Sequence, residues 1–163
     1  MLDLDGTVRT TISGKKFIND PHDQKLIPGV REKIASVHND WIIVGVTNQG
    51  GVPDHKSLES CLVEQKHTLE LLPKMQSIYC APGMEGNECF KVDQKYRFLI
   101  QGGQRNFRKP SPGMLHLAVH EFRKFFVLDD CLMVGDRDED KEAALAAGVK
   151  FAWAHEWNTL VLK

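Results

Sequence analysis

The stretch MLDLDGTVRT, residues 1–10, decides the fold. Asp3 and Asp5 stand one residue apart, after an apolar stub of Met1 and Leu2 and before Gly6 and Thr7. Extended side chains alternate, so the two carboxylates point to the same side. Paired acids do not belong in the middle of a buried strand. They fit its carboxyl end, because open parallel sheets hold their ligands outside the carboxyl ends of the strands.

The rest of the chain fits such a sheet. WIIVGVT (41–47) is β-branched and apolar nearly throughout, as a strand covered on both faces should be. MQSIYCA (75–81), CLMVG (131–135) and FAWA (151–154) predict further short strands. Between them, Val30, Ile34 and Val37 recur at helical spacing after Pro28, and a second helix runs from about Asp54 to Leu72, stopped by Pro73. SPGMLHLAVHEFRKFF (111–126) predicts a third helix. The fourth, 138–148, has acids in its first turn and Gly148 at its end. Alternation of strand and helix predicts an α/β, Rossmann-like parallel sheet with helices on both faces, as one domain over 1–163. Residues 82–109 hold several glycines and are read as a long structureless loop, which either covers a site or is disordered.

Bulk properties narrow the function. A formal net charge of -1 gives no general pull towards nucleic acid or anionic membrane. No apolar run reaches the roughly 20 residues that span a bilayer, and no signal peptide is read in the acidic start. Cys61, Cys80, Cys89 and Cys131 lack the density of a disulfide framework. The expected location is cytoplasmic; oligomeric state is not readable.

Polar residues following the apolar runs converge on one sheet edge: Asp3 and Asp5, then Thr47, Asn48 and Gln49, then Asp136, with Arg108 and Lys109 arriving from a loop before a helix. Carboxylates brought together need a cation or a proton between them. Oxygen ligands without His or Cys favour Mg2+, which often shares its shell with a phosphate. A threonine hydroxyl, an asparagine amide and a lysine ammonium are fitting phosphate contacts.

The motifs DLDGT, VTNQG, RKPSPGM and MVGDRDED, in this order, resemble the haloacid dehalogenase (HAD) superfamily of aspartate-nucleophile phosphatases over nearly the whole chain. TNQ followed by RKP.PGM is similar to the subgroup holding heptose-bisphosphate phosphatases, histidinol phosphatases and polynucleotide 3′-phosphatases. The resemblance implies a HAD-like fold, here without room for a large cap domain. It implies that Asp3 attacks phosphorus, that Asp5 serves as acid and then base, and that Thr47 and Lys109 bind the phosphoryl oxygens. Mg2+ would be held by the Asp3 carboxylate, the Asp5 main-chain carbonyl and Asp136, with Asp140 supporting them from behind. Asn48, Gln49 and Arg108 would contact substrate.

The chain departs from the pattern in two further ways. Only Met1 and Leu2 precede Asp3, so a late-assigned or trimmed start is the expectation. Similar heptose-bisphosphate phosphatases bind zinc before RKP, but here Cys80 and Cys89 have no histidine between Cys80 and Lys109, and two sulfurs do not complete a structural site. Zinc is therefore not expected. The leading expectation is a Mg2+-dependent phosphatase of a small phosphorylated metabolite, such as a sugar phosphate or bisphosphate. The alternatives are a polynucleotide 3′-phosphatase and a non-catalytic module that binds a phosphorylated ligand.

Overall fold

A computed structural model describes residues 1–95, 97–101 and 106–157. Two two-residue strands, β1 (Arg9–Thr10) and β2 (Lys25–Leu26), pair antiparallel beside the first segment. They are followed by α1 (Val30–Val37), β3 (Val44–Gln49), α2 (Leu58–Leu71) and β4 (Ser77–Pro82). Next come β5 (Glu88–Asp93), β6 (Arg97–Gln101) and α3 (Gly113–Phe122). The chain continues through β7 (Leu132–Gly135), α4 (Asp138–Ala147), β8 (Lys150–Trp153) and α5 (Ala154–Trp157).

Strands β3 and β4 pair parallel, as do β7 and β8. The opening segment lies between these two parts. Leu2 forms parallel bridges to Gly45 on β3 and to Val134 on β7. The Leu2 N–H donates to Val44 O and the Val46 N–H to Leu2 O, both at 2.8 Å. On the other side the Asp3 N–H donates to Val134 O and the Val134 N–H to Met1 O, both at 2.9 Å. The stub expected of a first strand is thus central, though only about one residue of ladder wide.

Strand residues alternate between two cores. Val44, Val46, Tyr79 and Met133 face α3 and α4, where Ala143, Ala144 and Ala147 present a small-residue surface that lets α4 lie close. Leu2, Leu4, Ile43, Ile78 and Val134 face α1 and α2, meeting Val30, Ile34, Leu62 and Leu69. Helices therefore cover both faces, and all the parallel strands end along one edge. Helix α2 starts four residues later than expected, because the Ser57 hydroxyl caps it by accepting from the Ser60 N–H at 3.0 Å.

The reading of 82–109 as a structureless loop is corrected. Strand β5 pairs antiparallel with β4, and β6 antiparallel with β5, extending the sheet at its edge. Gly83 and Gly86, both at positive φ, mark the turn from β4 to β5, while Cys89 and Val92 are the inward positions of β5. Residues 102–105 of that glycine-rich stretch lie outside the described residues. Among the described residues no helix is long and apolar enough to cross a membrane.

Candidate active site

Asp3 ends the central segment and is buried, at 7% exposure. The Lys109 ammonium donates to Asp3 Oδ1 at 2.6 Å, to Asp140 Oδ1 at 2.6 Å and to Val46 O at 3.0 Å. One buried cation thus joins residues 106 positions apart. Burial pushes the Asp3 carboxyl up to about 7, opposed by Lys109 and reinforced by Asp140. Burial acts to lower the Lys109 ammonium, but Asp3 and Asp140 outweigh it and raise the group above its ordinary value. Lysine therefore stays charged and holds one oxygen of each acid.

Lys109 reaches this position because its loop is clasped to β3. The Asn48 amide donates to Lys109 O and its carbonyl accepts from the Lys109 N–H, each at 2.9 Å. Asn48, expected to contact substrate, has its side chain engaged in this clasp. Asp140 is positioned by the start of α4, where its Oδ2 accepts from the Arg137 N–H at 3.1 Å. Gly135 makes that approach possible: a Cβ there would lie 2.3 Å from Asp140 Cβ. Gly6 serves the same end on the other side. Its φ is +97°, and a Cβ would meet Asp136 Oδ2 at 2.3 Å.

Asp3, Asp136 and Asp140 each offer an oxygen, and these lie within 4.8 Å of one another. Asp136 is exposed, and its Oδ1 accepts from the Thr7 hydroxyl at 3.4 Å. The donor set is oxygen only, two members are buried, and the group opens to solvent at Asp136. Those features fit a hard divalent cation such as Mg2+. Both Asp140 oxygens are already engaged by Lys109 and Arg137, so Asp3 and Asp136 are the acids better placed to ligate.

Asp5 is held differently. Its Oδ1 accepts from Arg9 Nε at 2.8 Å and its Oδ2 from the Gln49 amide at 3.0 Å. Burial acts to raise the Asp5 carboxyl, but Arg9 above all outweighs it and holds the group below its ordinary value. The Gln49 amide also donates to the Thr47 hydroxyl at 3.0 Å, so expected residues from three positions share one network. Arg108 lines the mouth and donates to Gly83 O at 3.2 Å.

Asp3, Asp5, Thr47, Gln49, Arg108 and Asp136 line one pocket of about 680 Å³. Sequence reasoning missed Arg9, which is wholly buried, and its partner Glu64 on α2. The signal was present in the polar run Glu64, Gln65 and Thr68, which faces inward on an otherwise ordinary amphipathic helix. Cys80, weighed for zinc, lies 3.6 Å from Cys61 Sγ to Sγ, and Cys89 is buried in the core.

A parallel sheet ending in an acid-rich pocket, covered by helices on both faces, defines the class: this is a HAD-type phosphatase fold. The solved structures agree. D,D-heptose 1.7-bisphosphate phosphatase from B. bronchiseptica, complexed with magnesium and phosphate, is 24% identical with TM-score 0.69, covering 92% of the chain and 76% of that protein. A HAD-like phosphatase from Mesorhizobium loti is 27% identical with TM-score 0.68, covering 91% and 67%. The chain belongs to the polynucleotide kinase 3 phosphatase family, whose match spans residues 1–157. It is 31% identical to the D-glycero-beta-D-manno-heptose-1,7-bisphosphate 7-phosphatase of Vibrio cholerae, over 91% of the chain and 75% of that relative. The protein is an enzyme of the phosphatase class, and the non-catalytic reading is set aside.

Proposed function

We propose that the protein hydrolyses a small sugar phosphate or bisphosphate with Mg2+, through a phosphoryl group carried transiently on Asp3, and that the chain acts as one domain. The supporting observation is the placement of Lys109 between Asp3 and Asp140, with Asp136 across the pocket. The curated relatives named as heptose-bisphosphate phosphatases support the substrate class.

Asp3 keeps one oxygen on Lys109 and uses the other to attack phosphorus, forming an Asp3 O–P bond as the ester P–O bond breaks. Asp5, ionised beside Arg9 in the free site, takes up a proton as the anionic substrate binds against it and gives that proton to the departing oxygen. It then takes a proton from the water that attacks phosphorus, which releases phosphate and restores Asp3. The Thr47 hydroxyl, bonded to Gln49, is placed to donate to a phosphoryl oxygen. Asp3 and Asp136 would hold Mg2+, which when bound neutralises charge on the phosphoryl oxygens. Lys109 limits the repulsion between Asp3 and an anionic substrate.

The test is phosphate release from a panel of sugar phosphates and bisphosphates in Mg2+, with Asp3→Asn as control. Release by the wild type alone supports the reading. Silence on the whole panel, or equal release by both proteins, ends it.

A second reading, a polynucleotide 3′-phosphatase, is favoured by the pocket mouth. Phe17 is 59% and Met84 68% exposed there, beside Lys16 and Arg108. Lys16 Nζ lies 5.1 Å from the Phe17 ring centre. An exposed ring beside cations suits a stacked base and its phosphates better than a sugar. Against it stands the net charge of -1. Release of phosphate from a 3′-phosphorylated single strand, with binding that weakens steeply in salt, would move the assignment here.

A further inference from the structure

We infer that Arg9 is a positioning residue: it fixes the direction of the Asp5 carboxylate for transfer of a proton to the leaving oxygen, and it is itself aimed by α2. The inference rests on the phosphatase reading above.

Arg9 is fully buried, yet it stands on a two-residue strand that lines the pocket. Its guanidinium donates from Nε to Asp5 Oδ1 at 2.8 Å. From Nη2 it donates to Glu64 Oε1 at 2.5 Å. Nη1 donates to the Thr68 hydroxyl, to Gln24 Oε1 at 3.3 Å and to Glu64 O at 3.5 Å. A guanidinium is a rigid plane, so anchoring its two Nη atoms on α2 sets where Nε points. The backbone between the two residues is closed as well. The Gly6 N–H donates to Arg9 O at 3.0 Å, and the Arg9 N–H donates to Leu4 O at 2.9 Å.

The anchor continues beyond Arg9. Glu64 Oε2 accepts from Lys56, whose ammonium also donates to Ile18 O at 2.9 Å on the pocket wall. Asp5, Arg9, Glu64 and Lys56 therefore form a row of alternating charge from the pocket into the helix and back to its wall. Burying such a row is costly, and a well-packed apolar set would hold the fold at least as well. What apolar residues cannot do is orient a carboxylate. With Gln49 on Oδ2, Asp5 is gripped at both oxygens, and Arg9 ties that grip to the helix.

Proton donation matters when the leaving group is an alkoxide and hardly matters for nitrophenolate, which leaves unaided. The experiment compares wild type and Arg9→Lys on the best sugar phosphate of the panel and on p-nitrophenyl phosphate. Lysine keeps a charge facing Glu64 but cannot bridge Asp5 and α2 as a plane. The expected loss in kcat is about 10-fold or more greater on the sugar phosphate than on the nitrophenyl ester. In an Asp5→Asn background Arg9→Lys should bring no further loss on the sugar phosphate. Equal losses on both substrates, or additive effects of the two substitutions, overturn the inference and leave the phosphatase reading intact. A wild type inactive on both substrates overturns both. If Arg9→Lys does not fold, Thr68→Val takes the hydroxyl away from Nη1, leaving it Gln24 Oε1 and Glu64 O, and so loosens one arm of the guanidinium while keeping Arg9. It should give the same one-sided loss, and an even loss rejects the proposal.

Discussion

The single ammonium of Lys109 is the residue on which most of the pocket hangs. It is 2% exposed and stands between two acids that would otherwise face each other in a dry site. Lys109→Met should therefore destabilise the protein by about 3–5 kcal/mol, the cost of leaving buried charge unpaired. Chemical denaturation reads this directly, and a loss under about 1 kcal/mol would show that the acids are solvated instead. Asp3→Asn keeps the Lys109 contact but removes the nucleophile proposed above. It should fold normally and lose about a thousandfold or more in turnover, measured as phosphate release. Asp3 was legible in the sequence because it follows an apolar stub at the sheet edge, and Lys109 because it stands in the motif RKPSPGM just before a helix. Arg9 was not, because a lone arginine in a polar stretch is silent by itself, and its sign lay instead in Glu64, Gln65 and Thr68 on the helix it meets.

Among the elements, α4 and the loop before β2 carry the clearest dependences. Gly135 ends β7 where Asp140 presses in, and an added Cβ would stand 2.3 Å from its Cβ. Gly135→Ala should cost about 1–3 kcal/mol and shift Asp140 off Lys109, lowering Tm and activity together. Near-native Tm with unchanged turnover would contradict this. In the loop, Asp23 accepts from the Ser13 N–H at 2.8 Å and from the Ser13 hydroxyl at 2.5 Å. Those bonds hold its carboxyl below the ordinary value of about 3.9. A depressed acid stabilises the fold above that ordinary value, and the contribution fades as pH falls through the lower folded value. An NMR titration should show Asp23 and the Ser13 amide sharing one midpoint below about 3.9; separate midpoints would deny the link. The helices were readable from periodicity and stop signals, and β3 from its unbroken apolar run. The β5–β6 meander was hidden because glycines on both sides resemble a loop, whereas pairing with β4 is a long-range event that no local pattern encodes.

For the whole molecule, an oxygen site built from distant segments links ligand binding to folding. Mg2+ at about 100 times its dissociation constant should add about 2.7 kcal/mol of stability. A thermal melt with and without Mg2+ measures the shift, and Asp136→Asn should abolish it; a shift that survives the substitution would place the ion elsewhere. The order of the sheet has a sharper consequence. Among the described residues its two parts, β3–β6 and β7–β8, share no strand ladder of their own and are joined along the backbone through Met1 to Asp3. That narrow join is a seam, and the pocket opens at its end, with Thr47 and Lys109 on one bank and Asp136 and Asp140 on the other. A phosphoryl group and its cation would suture the two banks together. Amide exchange at Leu2, Asp3, Val46 and Val134 should accordingly slow when Mg2+ and phosphate are added, making the catalytic ligands a fastening for the centre of the sheet.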